Sequence, residues 1–138
     1  MNIKKKVQVI LINNKHQILC LQMNERRHGY WQNVTGSVEP EDSNLLSAAN
    51  RELHEETGLQ ASSVIELDLQ FNFIDQYKNQ VTEYCFLAEI SMDQPLITLD
   101  PSEHQSYKWI ELSELSSNTF HYESNFIAAS KAMELLND

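Results

Sequence analysis

The chain has 138 residues, a formal net charge of −10 and 41% hydrophobic residues. This length fits one domain, residues 1–138, around a single core, and no apolar run reaches the length of a membrane span. The acidic balance argues against binding along a nucleic-acid backbone, which needs a basic surface. It is compatible with a small anionic nucleotide held through a metal ion. We therefore expect a small-molecule partner, no nucleic acid and no membrane; the sequence makes no prediction about the oligomeric state.

The first third of the chain predicts a hairpin and a short strand. Residues 5–12 alternate in part, residues 13–16 read as a turn, and residues 18–21 predict the returning strand. A polar loop at residues 24–29 leads into a short strand, residues 30–34, that ends at Gly36. The two cysteines, Cys20 and Cys85, lie in apolar, strand-like runs. They predict buried free thiols and a cytoplasmic protein, with a disulfide as the alternative.

The remaining chain predicts two helices and three strands. Asp42 or Ser43 is expected to cap a first helix that Gly58 ends, and its apolar stripe is Leu45, Leu46, Ala49 and Leu53. Strands are predicted at residues 65–73, 81–90 and 107–110, with a polar loop at 91–106, a helical turn at 111–115 and an amphipathic helix at 122–136. This order predicts an α+β fold, a mixed sheet between two helices.

Three glutamates in the first helix carry the functional signal. Glu52, Glu55 and Glu56 are neighbours on one helical face, where like charges repel. A cation between them removes that penalty, and Mg²⁺ takes carboxylate and phosphate oxygens as ligands. The alternative is a solvated acidic face. Upstream, Gly36 permits close backbone approach, and a carbonyl of Thr35 or Gly36 can face the metal; the alternative is a plain turn glycine.

The same segment, RELHEETGL at residues 51–59, resembles the second half of the Nudix box, the signature of the Nudix hydrolases. Gly36 supplies the opening glycine of the box. Two departures lie between these parts: Asp42 replaces the family glutamate, beside Glu41, and one residue is inserted. The resemblance implies an α/β/α sandwich and hydrolysis of a nucleoside diphosphate derivative with Mg²⁺, or Mn²⁺. It also implies that Arg51 pairs with Asp42 or Glu41 and orients the ligands.

Two further stretches are similar to bacterial dihydroneopterin triphosphate pyrophosphatases, Nudix enzymes that also cleave deoxynucleoside triphosphates. They are WQNVTGSVE at residues 31–39 and EHQSYKW at residues 103–109. In that group the glutamate of the second stretch belongs to the site, so Glu103 is predicted as a metal ligand or general base; the alternative is a solvated loop charge. Arg26 and Arg27 are candidates to meet phosphates. Trp31, with Tyr30 and Phe73, is a candidate to stack on a heterocycle.

Three functions compete at this point. The leading one is a Mg²⁺-dependent pyrophosphohydrolase that converts dihydroneopterin triphosphate or a deoxynucleoside triphosphate to a monophosphate and pyrophosphate. The second keeps this chemistry but acts on ADP-ribose, a dinucleoside polyphosphate or an oxidised nucleotide. The third is a Nudix-fold sensor that binds a nucleotide without cleaving it. The complete set of Glu52, Glu55 and Glu56 favours an enzyme.

Overall fold

A computed structural model describes residues 3–136 as one mixed sheet with a helix on each face. The strands are β1 (Ile3–Ile12), β2 (Gln17–Met23), β3 (Trp31–Gln32), β4 (Val34–Ser37), β5 (Ser63–Ile74), β6 (Gln80–Glu89) and β7 (His104–Glu111). The helices are α1 (Leu45–Thr57) and α2 (Glu123–Leu136), and short 3₁₀ turns cover Glu25–Arg27 and Leu112–Glu114. In this part of the chain, no helix is long and apolar enough to cross a membrane.

The sheet forks beside its central strand, β1. Along its whole length β1 runs parallel to β6, which in turn pairs antiparallel with the edge strand β5. On its other side, β1 pairs with β4 from Lys6 to Val9 and meets β2 at Ile12 opposite Ile18. Because β2 also carries β3 and β7 on its two edges, the fork lies between β4 and β2, and the chain crosses it just after β3.

Each face of the sheet has its own hydrophobic core. On the α1 face, Val7, Val9 and Leu21 pack with Ala48 and Leu53 of α1. On the opposite face, Ile10, Ile12, Ile18, Cys20, Cys85 and Leu87 pack against Ala128, Ala129 and Ala132 of α2. The predicted mixed sheet between two helices is confirmed. Both cysteines are buried free thiols, as predicted.

Three predictions about the elements were wrong in detail. The single strand expected at residues 30–34 is two strands, because the chain leaves β2 and joins β1 at Asn33. The last strand begins at His104 rather than Tyr107, since a bulge at the end of β2 extends the pairing to Met23 opposite His104. Each helical stripe also loses one predicted member, since Leu46 is 44% exposed and Ile127 is 39% exposed, whereas Ala49, Leu53, Ala129 and Ala132 are buried as predicted.

The cap of α1 is Asn44, whose side chain accepts a hydrogen bond from the N–H of Ser47. Asp42 and Ser43, the expected caps, do not take this role. The Asp42 carboxylate instead accepts from the N–H of Glu39 at 2.7 Å and faces Arg51. Gly58 ends the helix as predicted, with φ 78°.

Candidate active site

Arg51 forms ion pairs with three acidic side chains of the site, Asp42, Glu52 and Glu55. Its Nε and Nη2 atoms donate to the two carboxylate oxygens of Asp42, both at 2.9 Å. Nη1 donates to Glu52 Oε1 at 2.9 Å and to Glu55 Oε2 at 3.0 Å, and Nη2 also donates to the Ser37 carbonyl at 2.8 Å. The guanidinium is therefore the cation that lies between Glu52 and Glu55 in this structure.

The ion pair predicted for Arg51 forms with Asp42, one of the two expected partners. The other, Glu41, is exposed. Hydrogen bonds from Arg51, and then from the Glu39 N–H, hold the pKa of Asp42 below its ordinary value. In return, the hydrogen bond to Asp42 raises the pKa of Arg51. Two parallel N–H···O bonds fix the plane of a guanidinium, so Asp42 orients Arg51 and Arg51 orients the glutamates.

Gly36 is required by the position of Glu52. A Cβ atom at Gly36 would overlap the Glu52 carboxylate, colliding with its carbon and both oxygens. The prediction of close approach at this glycine is thus confirmed, but the group that approaches is a glutamate of α1. Burial raises the pKa of Glu52, while the neighbouring Glu56 and Arg51 oppose that rise.

Glu56 is a buried carboxyl with one unpartnered oxygen. It is 3% exposed, and its Oε1 atom has no hydrogen-bond partner among the described residues. Burial, followed by Glu52 and Glu103, raises the pKa of Glu56 to about 10, and the backbone of Thr35 opposes this through a hydrogen bond. Glu103 contributes to this rise through its charge, and its role as a metal ligand or general base stays a prediction.

His104 is a site residue to which the sequence reasoning gave no role. It is 3% exposed, with Nε2 at 3.9 Å from Glu56 Oε1 and 3.4 Å from Gln32 Nε2. Burial, and then the charge of Arg27, lower the pKa of His104, so the ring is neutral near pH 7. The sequence does show a histidine directly after the predicted site glutamate in EHQSYKW. The alternation of residues in a strand does not reveal which face of the sheet that side chain occupies.

The two arginines of the predicted phosphate contact have different environments. Arg26 donates to the Ser102 carbonyl, one residue before Glu103. Asn24 supports the same junction, since its N–H donates to the Glu103 carbonyl at 3.0 Å. Both arginine side chains are exposed. Arg26 contacts the loop before Glu103, whereas Arg27 acts electrostatically on His104.

Trp31 lies on the α2 face of the sheet, and the ammonium of Lys108 is 4.1 Å from the centre of its ring. Its neighbour Tyr30 stacks on His121 with ring centres 3.5 Å apart. A cleft of about 410 Å³ opens beside them, lined by Gly29, Tyr30, Trp31 and residues 117–121. Phe73, the third aromatic candidate, is on the edge strand β5 opposite Val81, and does not line this cleft.

The predicted metal set is not a preformed cage. Within residues 3–136, no three His, Cys, Asp or Glu side chains are grouped closely enough to hold an ion as they stand. The reason is Arg51, which draws Glu52 and Glu55 to itself, and the Glu55 side chain is 56% exposed.

The donor chemistry nevertheless fits a divalent cation at Glu52 and Glu56. Glu56 Oε1 is a buried, unpartnered oxygen, and the glycine at position 36 leaves the space that the Glu52 carboxylate fills. Buried carboxylates are stable when they are paired or coordinate a metal. Glu103 can complete an oxygen donor set of the kind that Mg²⁺ accepts.

Comparison with known proteins identifies the family. The family model described as the NUDIX domain matches residues 3–129. The bis(5'-nucleosyl)-tetraphosphatase (asymmetrical) of Rattus norvegicus is 34% identical over 105 residues, covering 74% of this chain and 69% of the relative.

Two solved structures share the fold. The E. coli dihydroneopterin triphosphate pyrophosphohydrolase superposes with a TM-score of 0.78 at 23% identity, covering 97% of this chain and 96% of that one. The C. elegans Ap4A hydrolase gives 0.79 at 20% identity, with 97% and 98% covered. At these identities the likeness establishes the architecture and leaves the substrate undecided.

Proposed function

This chain belongs to the Nudix family and is a Nudix hydrolase, and from that premise we propose that it is a pyrophosphohydrolase of a nucleoside-triphosphate-like substrate. The substrate is dihydroneopterin triphosphate, with deoxynucleoside triphosphates as secondary substrates. Water attacks a phosphorus atom, the P–O–P bond breaks, and a monophosphate and pyrophosphate leave. Mg²⁺ serves as the cofactor, and Mn²⁺ can replace it.

One observation carries the choice of substrate. The stretches 31–39 and 103–109, which resemble the dihydroneopterin triphosphate enzymes, are far apart in the chain but adjacent at this site. Gln32 of the first stretch contacts His104 of the second, and His104 Nε2 lies 3.9 Å from Glu56 Oε1. The two stretches that resemble the dihydroneopterin triphosphate enzymes therefore lie together at the site, where the substrate would be recognised.

Each side chain of the site has a separate role in the proposed reaction. Glu52 and Glu56 would hold the cation, which would supply neutralisation of phosphate charge and a lower pKa for water. Arg51 keeps Glu52 in place. Glu103 takes the proton of the attacking water, and Arg27 meets the phosphate oxygens with its forked donors.

The cleft beside Tyr30 and Trp31 lies on the α2 face of the sheet, whereas the carboxylates of α1 lie on the other face. Tyr30 already stacks on His121, and the Lys108 ammonium covers the Trp31 ring. We therefore assign the heterocycle no place in this cleft, and stacking on Trp31 stays a prediction from the sequence.

A second candidate is asymmetric cleavage of a bis(5'-nucleosyl) tetraphosphate into a nucleoside triphosphate and a monophosphate. Its support is the rat relative, which acts on that class of compound by its name and is 34% identical. The bond broken and the cation are the same in both candidates, so the distinction rests on what lies beyond the phosphates.

The test combines a substrate panel with a variant outside the Nudix box. We expect kcat/KM to be highest for dihydroneopterin triphosphate among the pterin triphosphate, deoxynucleoside triphosphates, a bis(5'-nucleosyl) tetraphosphate and ADP-ribose. Glu103→Gln should reduce kcat far more than it changes KM, because its effect belongs to the transition state. Glu66→Gln, the same change at an exposed position of β5, is the matched control. A preference for ADP-ribose with Glu103→Gln nearly neutral would overturn the proposal.

A further inference from the structure

Four polar side chains fill the fork of the sheet on the face opposite α1. Gln8 Nε2 donates to Glu83 Oε1 at 2.8 Å, and Asn33 Nδ2 donates to Gln8 Oε1 at 2.8 Å. Asn125 of α2 accepts the Asn33 N–H on its Oδ1 at 2.7 Å and an Asn33 Nδ2 bond on its carbonyl at 3.2 Å. We call Gln8, Asn33, Glu83 and Asn125 the fork network.

The fork network is too deeply buried to be an incidental surface feature. Gln8 and Asn33 are 0% exposed, Asn125 is 3% exposed and Glu83 is 5% exposed. Burying polar groups costs free energy even when they are paired, and apolar residues of similar volume often stabilise a core equally well. Directional hydrogen bonds differ from apolar contacts in one respect, because they fix the position and orientation of the groups they join.

The group that this network holds is the start of β4. Asn33 immediately precedes β4 and is bonded through both its backbone N–H and its side-chain amide. Two residues later, Thr35 lies opposite Gln8 in the ladder between β1 and β4. The next residue, Gly36, has no room for even one carbon atom between itself and Glu52. A small shift of β4 therefore reaches the Glu52 carboxylate directly.

We infer that the fork network positions β4 and, through Gly36, sets the placement of Glu52 relative to Glu56 on the other face of the sheet. Gln8 and Glu83 are thus positioning residues for the hydrolase, although neither touches the site. The inference rests on the proposed function only in taking Glu52 and Glu56 as the reactive pair of carboxylates.

The polarity of the Gln8–Glu83 hydrogen bond allows a charge-swap experiment. Gln8→Glu removes the only N–H donor of residue 8 to Glu83 and sets two carboxyl groups face to face. In the double variant Gln8→Glu with Glu83→Gln, the new glutamate accepts from both Asn33 and the new glutamine, so every bond is restored with one donor reversed. Glu83→Gln alone keeps an acceptor for Gln8 and serves as the matched control.

We expect kcat of Gln8→Glu to fall about tenfold, with KM changed far less, and the double variant to recover to within about twofold of the parent protein. Glu83→Gln should stay close to the parent. A folded Gln8→Glu with parental kcat, or a double variant no better than the single one, would overturn the inference.

A second pair separates positioning from stability. Gln8→Met with Glu83→Met replaces both partners of this bond by apolar side chains, and it decides the question if Gln8→Glu does not fold. The Asn33 side-chain amide loses its bond to Gln8 and keeps the one to the Asn125 carbonyl. We expect a lower Tm, because a buried donor loses a partner, together with a kcat about tenfold lower. Ile110→Val, a small deletion in the same core, should lower Tm and leave kcat unchanged. Parental kcat in the double methionine variant contradicts the inference.

Hydrogen exchange gives a readout that needs neither substrate nor metal. In the metal-free protein, the amides of Thr35 and Gly36 should exchange faster in the double methionine variant, because the Asn33 side-chain amide, directly before β4, has lost one of its two acceptors. Amides in the β5–β6 pair should stay unchanged. If no substrate is turned over, the proposed function fails while this measurement still decides the inference. Unchanged exchange at Thr35 and Gly36 would refute it.

Discussion

Gly36→Ala is the sharpest perturbation of the site that the structure offers. The new methyl group would occupy the space of the Glu52 carboxylate. Atoms in van der Waals contact lie about 3.5 Å apart or more, so the carboxylate must move by about 1 Å or more. A displacement of that size in a reacting arrangement costs about 10²-fold in rate. Glu52 also holds Arg51 at 2.9 Å, so the shift disturbs the guanidinium as well.

The assay measures kcat at saturating substrate and the Mg²⁺ concentration for half-maximal rate. We expect kcat to fall by about 10²-fold and the Mg²⁺ requirement to rise, with a stability loss of about 1–3 kcal/mol from overpacking. Ser37→Ala, at the exposed neighbouring position of β4, is the control and should behave as the parent. Parental kcat and Mg²⁺ dependence in a folded Gly36→Ala protein would refute the placement of Glu52 beside the cation.

Three other predictions test the acidic segment. A chelator should abolish activity and Mg²⁺ or Mn²⁺ should restore it, while Glu56→Gln should lower turnover by about 10²-fold; full turnover in that variant contradicts the assignment. Asp42→Ala should cost less activity than Glu52→Ala, because Asp42 acts through Arg51, and an equal loss would place Asp42 against the cation. In the metal-free protein, the pKa of Glu56 is raised to about 10 in the folded state and is about 4.3 when unfolded. The folded protein therefore loses stability as pH rises between these values: Tm should drop from pH 6 to 8.5, less so with Mg²⁺. In Glu56→Gln this part of the drop should vanish, and an unchanged slope would show that another group titrates.

Sequence reasoning succeeds here where the information is local. The acidic face of α1 follows from helical spacing, and the end of the helix at Gly58 follows from a residue free to adopt a left-handed conformation. The ion pair of Arg51 with Asp42 was predicted as one of two alternatives. In each case the residues that interact are close together in the sequence. The geometry of one helix and the loop before it therefore determines the contact.

The features that the sequence did not predict correctly depend on contacts between segments of the folded chain. The break at Asn33 arises because β4 pairs with β1 while β3 pairs with β2. The alternation of residues along 30–36 does not show which strand each part will pair with. His104 enters the site because a bulge extends β7 alongside Met23. The cap at Asn44 replaced Asp42 because Arg51 competes for that carboxylate. Pairing and competition of this kind are properties of the folded chain rather than of any window of sequence.

The central claim is tested most directly by ³¹P NMR of a single reaction that contains dihydroneopterin triphosphate and a bis(5'-nucleosyl) tetraphosphate at equal concentration with Mg²⁺. The two products of each cleavage have distinct phosphorus spectra, so one experiment reports both the substrate preference and the bond that breaks. We predict that the pterin triphosphate disappears first, with pyrophosphate and a monophosphate rising in equal amounts. Prior consumption of the tetraphosphate, or release of orthophosphate from the triphosphate, would contradict the account.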